Sequence, residues 1–384
     1  MREENIPLFA LESQDPIKDF DFLGITIQYE MCYTNILQIL DLSGMPLYAK
    51  DREKGMPIVI GGGPCTVNPE PMADFFDMFY LGEGETSYDA LLDLYKLYKN
   101  SDMSKVEFLR KASNIPGIYV PSLYQVDYNE DGTVAAIKPI YEDVPAKIKR
   151  QVVTDFSNVS YPMAPVVPYL KATQDRVCLE IMRGCIRGCR FCQAGMIYRP
   201  VREKSYKTVS KQAKSLCDTA GYDEVSLCSL STSDYTQIEP LLDDMLDWTQ
   251  KDNISISLPS LRIDNFSEEL LEKINHVRKS GLTFAPEAGT QRLRDVINKN
   301  VTEEEIRMLV DEGEISCLYE DALYYAINTA LGGIVNNEAI SGYFTNDAVS
   351  SFDKITLSGK NYNVPLVIEQ TDDNSIVSEY VKYT

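Results

Sequence analysis

RVCLEIMRGCIRGCRFCQAG, residues 176–195, is the stretch from which the rest of the chain can be read. RVCLEIM (176–182) is a short apolar run, the right length for one buried strand and too short for a core helix. It leads directly into a loop that carries Cys185, Cys189 and Cys192, separated by three and then two residues. Three thiols are an odd ligand set. A disulfide uses two cysteines and a structural zinc site uses four ligands.

Three readings of the loop stay open. A 4Fe–4S cube has four irons and commonly takes four cysteines. Three thiolates would leave one iron free, and S-adenosylmethionine can chelate that iron through its amino and carboxylate groups. An electron passed to the sulfonium then breaks a carbon–sulfur bond and starts radical chemistry, which the cofactors carry while the protein places them. The second reading is zinc with Cys178 as fourth ligand, although zinc sites pair C-x₂₋₄-C units and Cys178 lies seven positions before Cys185. The third is a set of unligated cysteines. Gly184 and Gly188 let the loop turn without Cβ clashes. Phe191 can lie beside an aromatic base, and Arg187 and Arg190 would favour an anionic cluster.

Outward from the loop, strand-like and helix-like runs alternate. SKQAKSLCDTAG (210–221) reads as a helix, DEVSLCSLS (223–231) as a strand and TQIEPLLDDMLDWTQK (236–251) as a helix. SISLPSLRI (255–263) and GLTFAPEAG (281–289) are further strands, with SEELLEKINHVRKS (267–280) as the helix between them and TQRLRDVINKN (290–300) as the next. Four βα units in a row predict a barrel-type or open parallel sheet, with its chemistry at the carboxyl ends of the strands. The first 100 residues alternate similarly: DFLGITIQ (21–28), MPIVIGGG (56–63) and DMFYLGEGE (77–85) are strand runs, with helices between and after them, one near PEPMADFF. Gly61, Gly62 and Gly63 fit either a tight turn or a ligand-binding loop. Residues 101–172 read as a β-rich linker with a hairpin turn at Asp131-Gly132.

The expected organisation is α/β throughout: a Rossmann-like parallel sheet over 1–100, the linker over 101–172, a partial TIM-like barrel over 173–305 and a divergent acidic tail over 306–384. That tail has no arginine after Arg307, and residues 308–384 hold twelve acids against three lysines.

Composition sets further bounds. Hydrophobic content of 44% and charged content of 25% over 384 residues place the chain among globular proteins of two or three domains. No apolar run reaches 18 residues, so no membrane span is expected. The start, MREENIPLFALESQDP, lacks a signal-peptide pattern, which points to the cytoplasm and reduced thiols. The nine cysteines are then free thiols or metal ligands rather than a disulfide frame. A net charge of −21 argues against a general grip on nucleic-acid phosphates. From Arg183 to Lys211 the balance reverses, with eight basic residues against Glu203 alone. This reads equally as a solvated basic face or as an electropositive rim around something anionic.

RGCIRGCRFCQAG, followed by YRPVREKS, resembles the radical S-adenosylmethionine superfamily. With MREENIPLFALES, DFLGITIQYEMCYTNILQILDLSG, IVIGGGPCTVNPEP, EVSLCSLSTSDY, SLPSLRIDNF and TFAPEAGTQRLRDVINKN, it is similar to the subgroup with an N-terminal cobalamin-binding-like domain, over roughly residues 1–305. The resemblance implies a radical enzyme with a 4Fe–4S cluster on Cys185, Cys189 and Cys192, and S-adenosylmethionine as cosubstrate. Phe191 is implied beside the adenine, and Ser229, Ser231, Thr232, Arg262 and Glu287 on the cofactor side of the strand ends, where ordinary strand-end hydrogen bonds are the alternative. An electron donor such as flavodoxin or ferredoxin is implied as partner; no substrate is.

The resemblance also brings in cobalamin. The chain's single histidine is His276, so a corrinoid on the first domain would lack imidazole ligation. The family's N-terminal domain starts earlier than this chain does, and its fifth and sixth barrel strands are not legible after Thr302. The expectation is therefore an incomplete pocket and an incomplete barrel, in a chain that could be inactive. The other function class is a non-catalytic metal-binding or electron-transfer module built on the same cysteines.

Overall fold

A computed structural model describes residues 1–4, 6–170, 173–265, 273 and 284–306, and the backbone of four short strands between 355 and 377. The chain divides into two compact units, Met1–Pro162 and Met163–Thr384.

In the first unit β1 (Phe22–Thr26), β2 (Ile58–Gly62) and β3 (Met78–Tyr80) run parallel, and β4 (Ile118–Tyr119) closes the sheet antiparallel to β3. Successive residues point to opposite faces, and both faces are covered. Ile58, Ile60, Met78 and Tyr80 enter one core with Leu91 and Tyr98 of α2 (Tyr88–Lys99) and Phe108 of α3 (Lys105–Ala112). Val59 and Phe79 enter the other with Ile36 and Leu40 of α1 (Tyr33–Leu42), Met72 and Phe76. This double burial is why β2 is an unbroken apolar run rather than an alternating one.

Two expectations change here. The stretch PEPMADFF forms a 3₁₀ helix, Glu70–Phe75. The boundary at residue 100 is also displaced. Phe108, Leu109, Ala112, Val120, Leu123 and Val144 lie inside the first core, so most of the supposed linker belongs to that unit. The hairpin at Asp131-Gly132 does form, joining β5 (Tyr124–Tyr128) to β6 (Val134–Pro139). Of the glycine run, Gly61 is needed for packing: a Cβ there would stand 2.5 Å from the Phe79 ring.

In the second unit β7 (Val177–Glu180) pairs in parallel with β10 (Glu224–Cys228), and β10 with β11 (Ser255–Ser257). Leu261 then bridges Phe284 in parallel, so the strand segments follow one another in chain order, as in a (βα) barrel. Between β7 and β10 lie the short antiparallel pair β8 (Met182–Arg183) and β9 (Arg202–Glu203) and the helices α4 (Ala194–Ile197) and α5 (Tyr206–Ala220). Ser205 caps α5 by accepting the Thr208 N–H at 3.2 Å, and Gly221, at φ 75°, ends it. Val209, Ala213, Leu216 and Cys217 form its buried stripe. Helix α6 (Ile238–Asp252) buries Leu241, Leu242 and Met245.

The expected helix at 267–280, including His276, lies outside the described residues except for Lys273, whose Nζ stands 2.8 Å from Asp243. Of the tail, two antiparallel pairs are described: Ile355–Leu357 with Lys360–Tyr362, and Glu369–Gln370 with Ile376–Val377. No helix among the described residues is long and apolar enough to cross a membrane.

Candidate functional site

The three cysteines leave the sheet through a turn at Gly184. Its φ is 82°, and a Cβ would come within 2.8 Å of the Tyr198 carbonyl oxygen and 2.9 Å of that of Pro200. Only glycine fits so close to another main chain. Gly188 has a different reason for being small: a Cβ there would lie 3.0 Å from Asn298 Nδ2, which donates to the Gly188 carbonyl at 2.9 Å. The Arg190 N–H donates to the Ile297 carbonyl at 2.9 Å, so the helix Gln291–Val296 and the turn after it steady the middle of the loop.

The thiols are partly accessible. Cys185 Sγ accepts the Arg187 N–H at 3.4 Å, and Cys192 Sγ accepts the Gly195 N–H at 3.3 Å in α4. Burial pushes the Cys185 thiol up, against the Arg187 N–H, so binding a metal there displaces a proton. Among the described residues no three His, Cys, Asp or Glu side chains are close enough to share one metal ion. A multi-iron cluster makes no such demand, because each thiolate binds a different iron. Cys178 is not drawn to the loop. It sits on β7 opposite Ser226, and its thiol meets that of Cys228, which leaves the four-ligand zinc reading without its fourth cysteine.

Arg187, between the first two cysteines, bonds to the ends of two other strand segments. Its Nε donates to Asp234 Oδ2 at 2.8 Å, its Nη2 donates to Asp234 Oδ1, and its Nη1 donates to Asp264 Oδ2 at 2.9 Å. The Asp234 side chain is only 2% exposed and also accepts the Ser231 hydroxyl at 2.7 Å. Burial alone would raise the Asp234 carboxyl, but the bonds from Arg187 and Ser231 hold it below the usual range. The same pairing pushes the Arg187 guanidinium up, with burial opposing. Arg262 completes the network with Nε and Nη2 on Asp264 at 2.8 and 2.9 Å and Nη2 on the Lys299 carbonyl at 2.7 Å.

The residues proposed for the cofactor side therefore fall into two groups. Phe191 is 52% exposed beside the third cysteine, and Ser229 is half-buried, sharing a 3.0 Å hydroxyl contact with Thr232. Ser231, Thr232 and Arg262 are buried and committed to internal bonds. Glu287, at φ 68°, accepts from Lys299 Nζ at 3.4 Å. The five arginines of the basic run are spent in the same manner. Arg183 pairs with Glu180, Arg187 with the two aspartates, and Arg190, Arg199 and Arg202 donate to main-chain carbonyls. They hold the loop together rather than forming a free electropositive rim. Sequence reasoning missed Asp234, Asp264 and Asn298. The legible signal was an aspartate just beyond each strand run, in STSDY and LRIDN.

Residues 1–121 match the family described as radical SAM proteins, N-terminal, and residues 179–312 match the radical SAM superfamily. An uncharacterized protein of Methanocaldococcus jannaschii, MJ0966, is 31% identical over 332 residues, which cover 85% of this chain and 63% of that one. The putative methylthiotransferase MJ0865 of the same organism is 24% identical over 137 residues, 33% of this chain and 30% of its own. The chain thus spans less than two thirds of the length of either relative.

Similar solved structures include the cobalamin-dependent S-adenosylmethionine radical enzyme OxsB with aqua-cobalamin and S-adenosylmethionine bound (TM-score 0.48, 15% identity, 75% of this chain and 38% of that one). Another is the radical S-adenosylmethionine methyltransferase TsrM of Kitasatospora setae with tryptophan substrate and a cofactor analogue (TM-score 0.47, 14% identity, 76% and 54%). With its cysteine loop inside one matched region and its first sheet inside the other, the chain belongs to the radical SAM superfamily and carries that superfamily's N-terminal domain ahead of the barrel strands.

Proposed function

We propose that the chain is a radical SAM enzyme in which Cys185, Cys189 and Cys192 hold a 4Fe–4S cluster through three irons and S-adenosylmethionine takes the fourth. The observation that carries this reading is the donor set: three accessible thiols on one braced loop at the carboxyl end of parallel strands, inside the region that matches the superfamily. When bound, the cluster supplies one electron that splits S-adenosylmethionine into methionine and a 5′-deoxyadenosyl radical able to take a hydrogen atom from substrate.

The protein's own part is placement. The Arg187 and Gly195 N–H groups donate to the Cys185 and Cys192 sulfurs and fix where they point. The exposed Phe191 ring offers a face to adenine, and the Ser229 hydroxyl offers a donor to the methionine end. Ser231, Thr232, Arg262 and Glu287 support these contacts from behind. A low-potential one-electron carrier such as flavodoxin or ferredoxin would feed the cluster in the cytoplasm. Cobalamin is a second cofactor proposed for the first unit, to be read by equilibrium dialysis. Residues 1–275 hold no histidine, so that stretch itself offers no imidazole to cobalt.

Anaerobic reconstitution with iron and sulfide, then reduction and addition of S-adenosylmethionine, is the test. Wild type should load about four irons and release 5′-deoxyadenosine, and Cys189→Ala should do neither. Stoichiometric zinc with no deoxyadenosine would overturn the reading in favour of a non-catalytic metal module.

A further inference from the structure

Asp234 is the most deeply buried carboxylate near the cysteine loop, and both of its oxygens are occupied by Arg187, a residue of the loop itself. Its neighbour Asp264 takes the third Arg187 nitrogen and both arms of Arg262. Two guanidinium and two carboxylate groups are thus closed on each other, with no net charge, beside the thiol of Cys185. Ser231 and Asn265 add further donors to Asp234, so it cannot turn away from Arg187 without stranding a polar partner. A planar guanidinium gripped on three nitrogens from two strand-end loops has very little freedom left.

We propose that Asp234 is a positioning residue for the cluster: through Arg187 it fixes where the cysteine loop stands, and it cancels the arginine charge that would otherwise lie against the metal centre. This rests on the cluster reading above. The consequence concerns how easily the cluster accepts an electron. Reduction adds a negative charge, and an uncompensated cation nearby favours that step. Net charge and hydrogen bonds at the sulfurs are among the levers that set a cluster's potential. With the four groups balanced the potential stays low, as splitting a sulfonium requires. Without the Asp234 charge, Arg187 contributes a full positive charge and a looser loop.

The test is a redox titration of the reconstituted full chain, followed by EPR of the reduced cluster. Asp234→Asn should hold its iron and be reduced at a more positive potential than wild type. Arg187→Met combined with Asp234→Asn removes both charges and should return the potential to the wild-type value. The S-adenosylmethionine concentration that half-saturates the EPR change should rise several-fold in Asp234→Asn and recover in Asp234→Glu.

A loaded Asp234→Asn chain with the wild-type potential overturns the proposal, as does a double variant that stays shifted. If Asp234→Asn does not fold or load, Asp264→Asn takes its place, since it meets Arg187 through one bond only. A positive shift there supports the proposal and an unshifted potential overturns it. Failure of wild type to take up any cluster is a different result, seen before any substitution, and it removes the cluster reading itself.

Discussion

Asp77 and Asp234 are both buried carboxylates paired with an arginine, in two unlike places. Asp77 stands just before β3, at the amino end of a parallel strand. It accepts the Val59 N–H at 2.8 Å and Arg52 Nε at 3.2 Å, and Lys105 Nζ lies 2.6 Å away. Arg52 spends its remaining donors on the carbonyls of Pro46, Leu47 and Phe75. Asp234 stands beyond the carboxyl end of β10 and grips the loop that carries the three thiols. Ligand sites of parallel α/β sheets gather at carboxyl ends. The Asp77 cluster therefore knits connections to the sheet, whereas the Asp234 cluster aims a loop.

The strongest way to break this contrast is Asp77→Ala. The Arg52 and Asp77 side chains are 0% and 1% exposed, and burial already lowers the Arg52 guanidinium, with Asp77 opposing. Removing one partner of such a pair costs about 3–5 kcal/mol, because the other charge stays buried and uncompensated. Urea unfolding should show a loss of that size in the first unit, while the potential of any cluster on the folded molecules stays at the wild-type value. A shifted potential in Asp77→Ala would mean that the two clusters are not functionally distinct.

A smaller effect separates the two loop glycines. Gly184→Ala must place a Cβ against the main-chain oxygens of Tyr198 and Pro200 at a φ of 82°. The expected cost is about 1–3 kcal/mol, with less iron taken up on reconstitution. Gly188→Ala meets only the end of the Asn298 side chain, which can move, and should cost under about 1 kcal/mol. Equal losses in the two variants would show that main-chain contact is not what selects glycine at 184.

These sites differ in how well the sequence announced them. The cysteine spacing, the apolar runs of β2, β7 and β10, the Gly221 stop and the Asp131-Gly132 hairpin are local features, and local features are written in neighbouring residues. What was not legible depends on contacts far apart in the chain. Arg187 reads as a free cation until it meets Asp234, 47 residues on, and Asp264, 77 residues on. Phe108 and Val120 read as linker residues until they enter a core with Ile58 and Met78. Apolar content alone does not reveal which sheet a segment covers, and charge content alone does not reveal which charges are already paired.

The pH dependence of Asp234 sharpens the comparison in the iron-free protein, where no cluster is at risk from acid. Its carboxyl is lowered in the fold, since the bonds from Arg187 and Ser231 outweigh the effect of burial. The unfolded chain then binds the proton more readily than the folded one. The stabilisation from this charge is complete above the ordinary carboxylate range and is lost as pH falls through the lowered folded value. Asp234→Asn has no such charge to lose. The difference in urea stability between wild type and Asp234→Asn should therefore be widest near about pH 7 and narrow toward about pH 3. If that difference is the same at both pH values, Asp234 holds Arg187 by hydrogen-bond geometry and packing alone, and its charge is not what stabilises the loop.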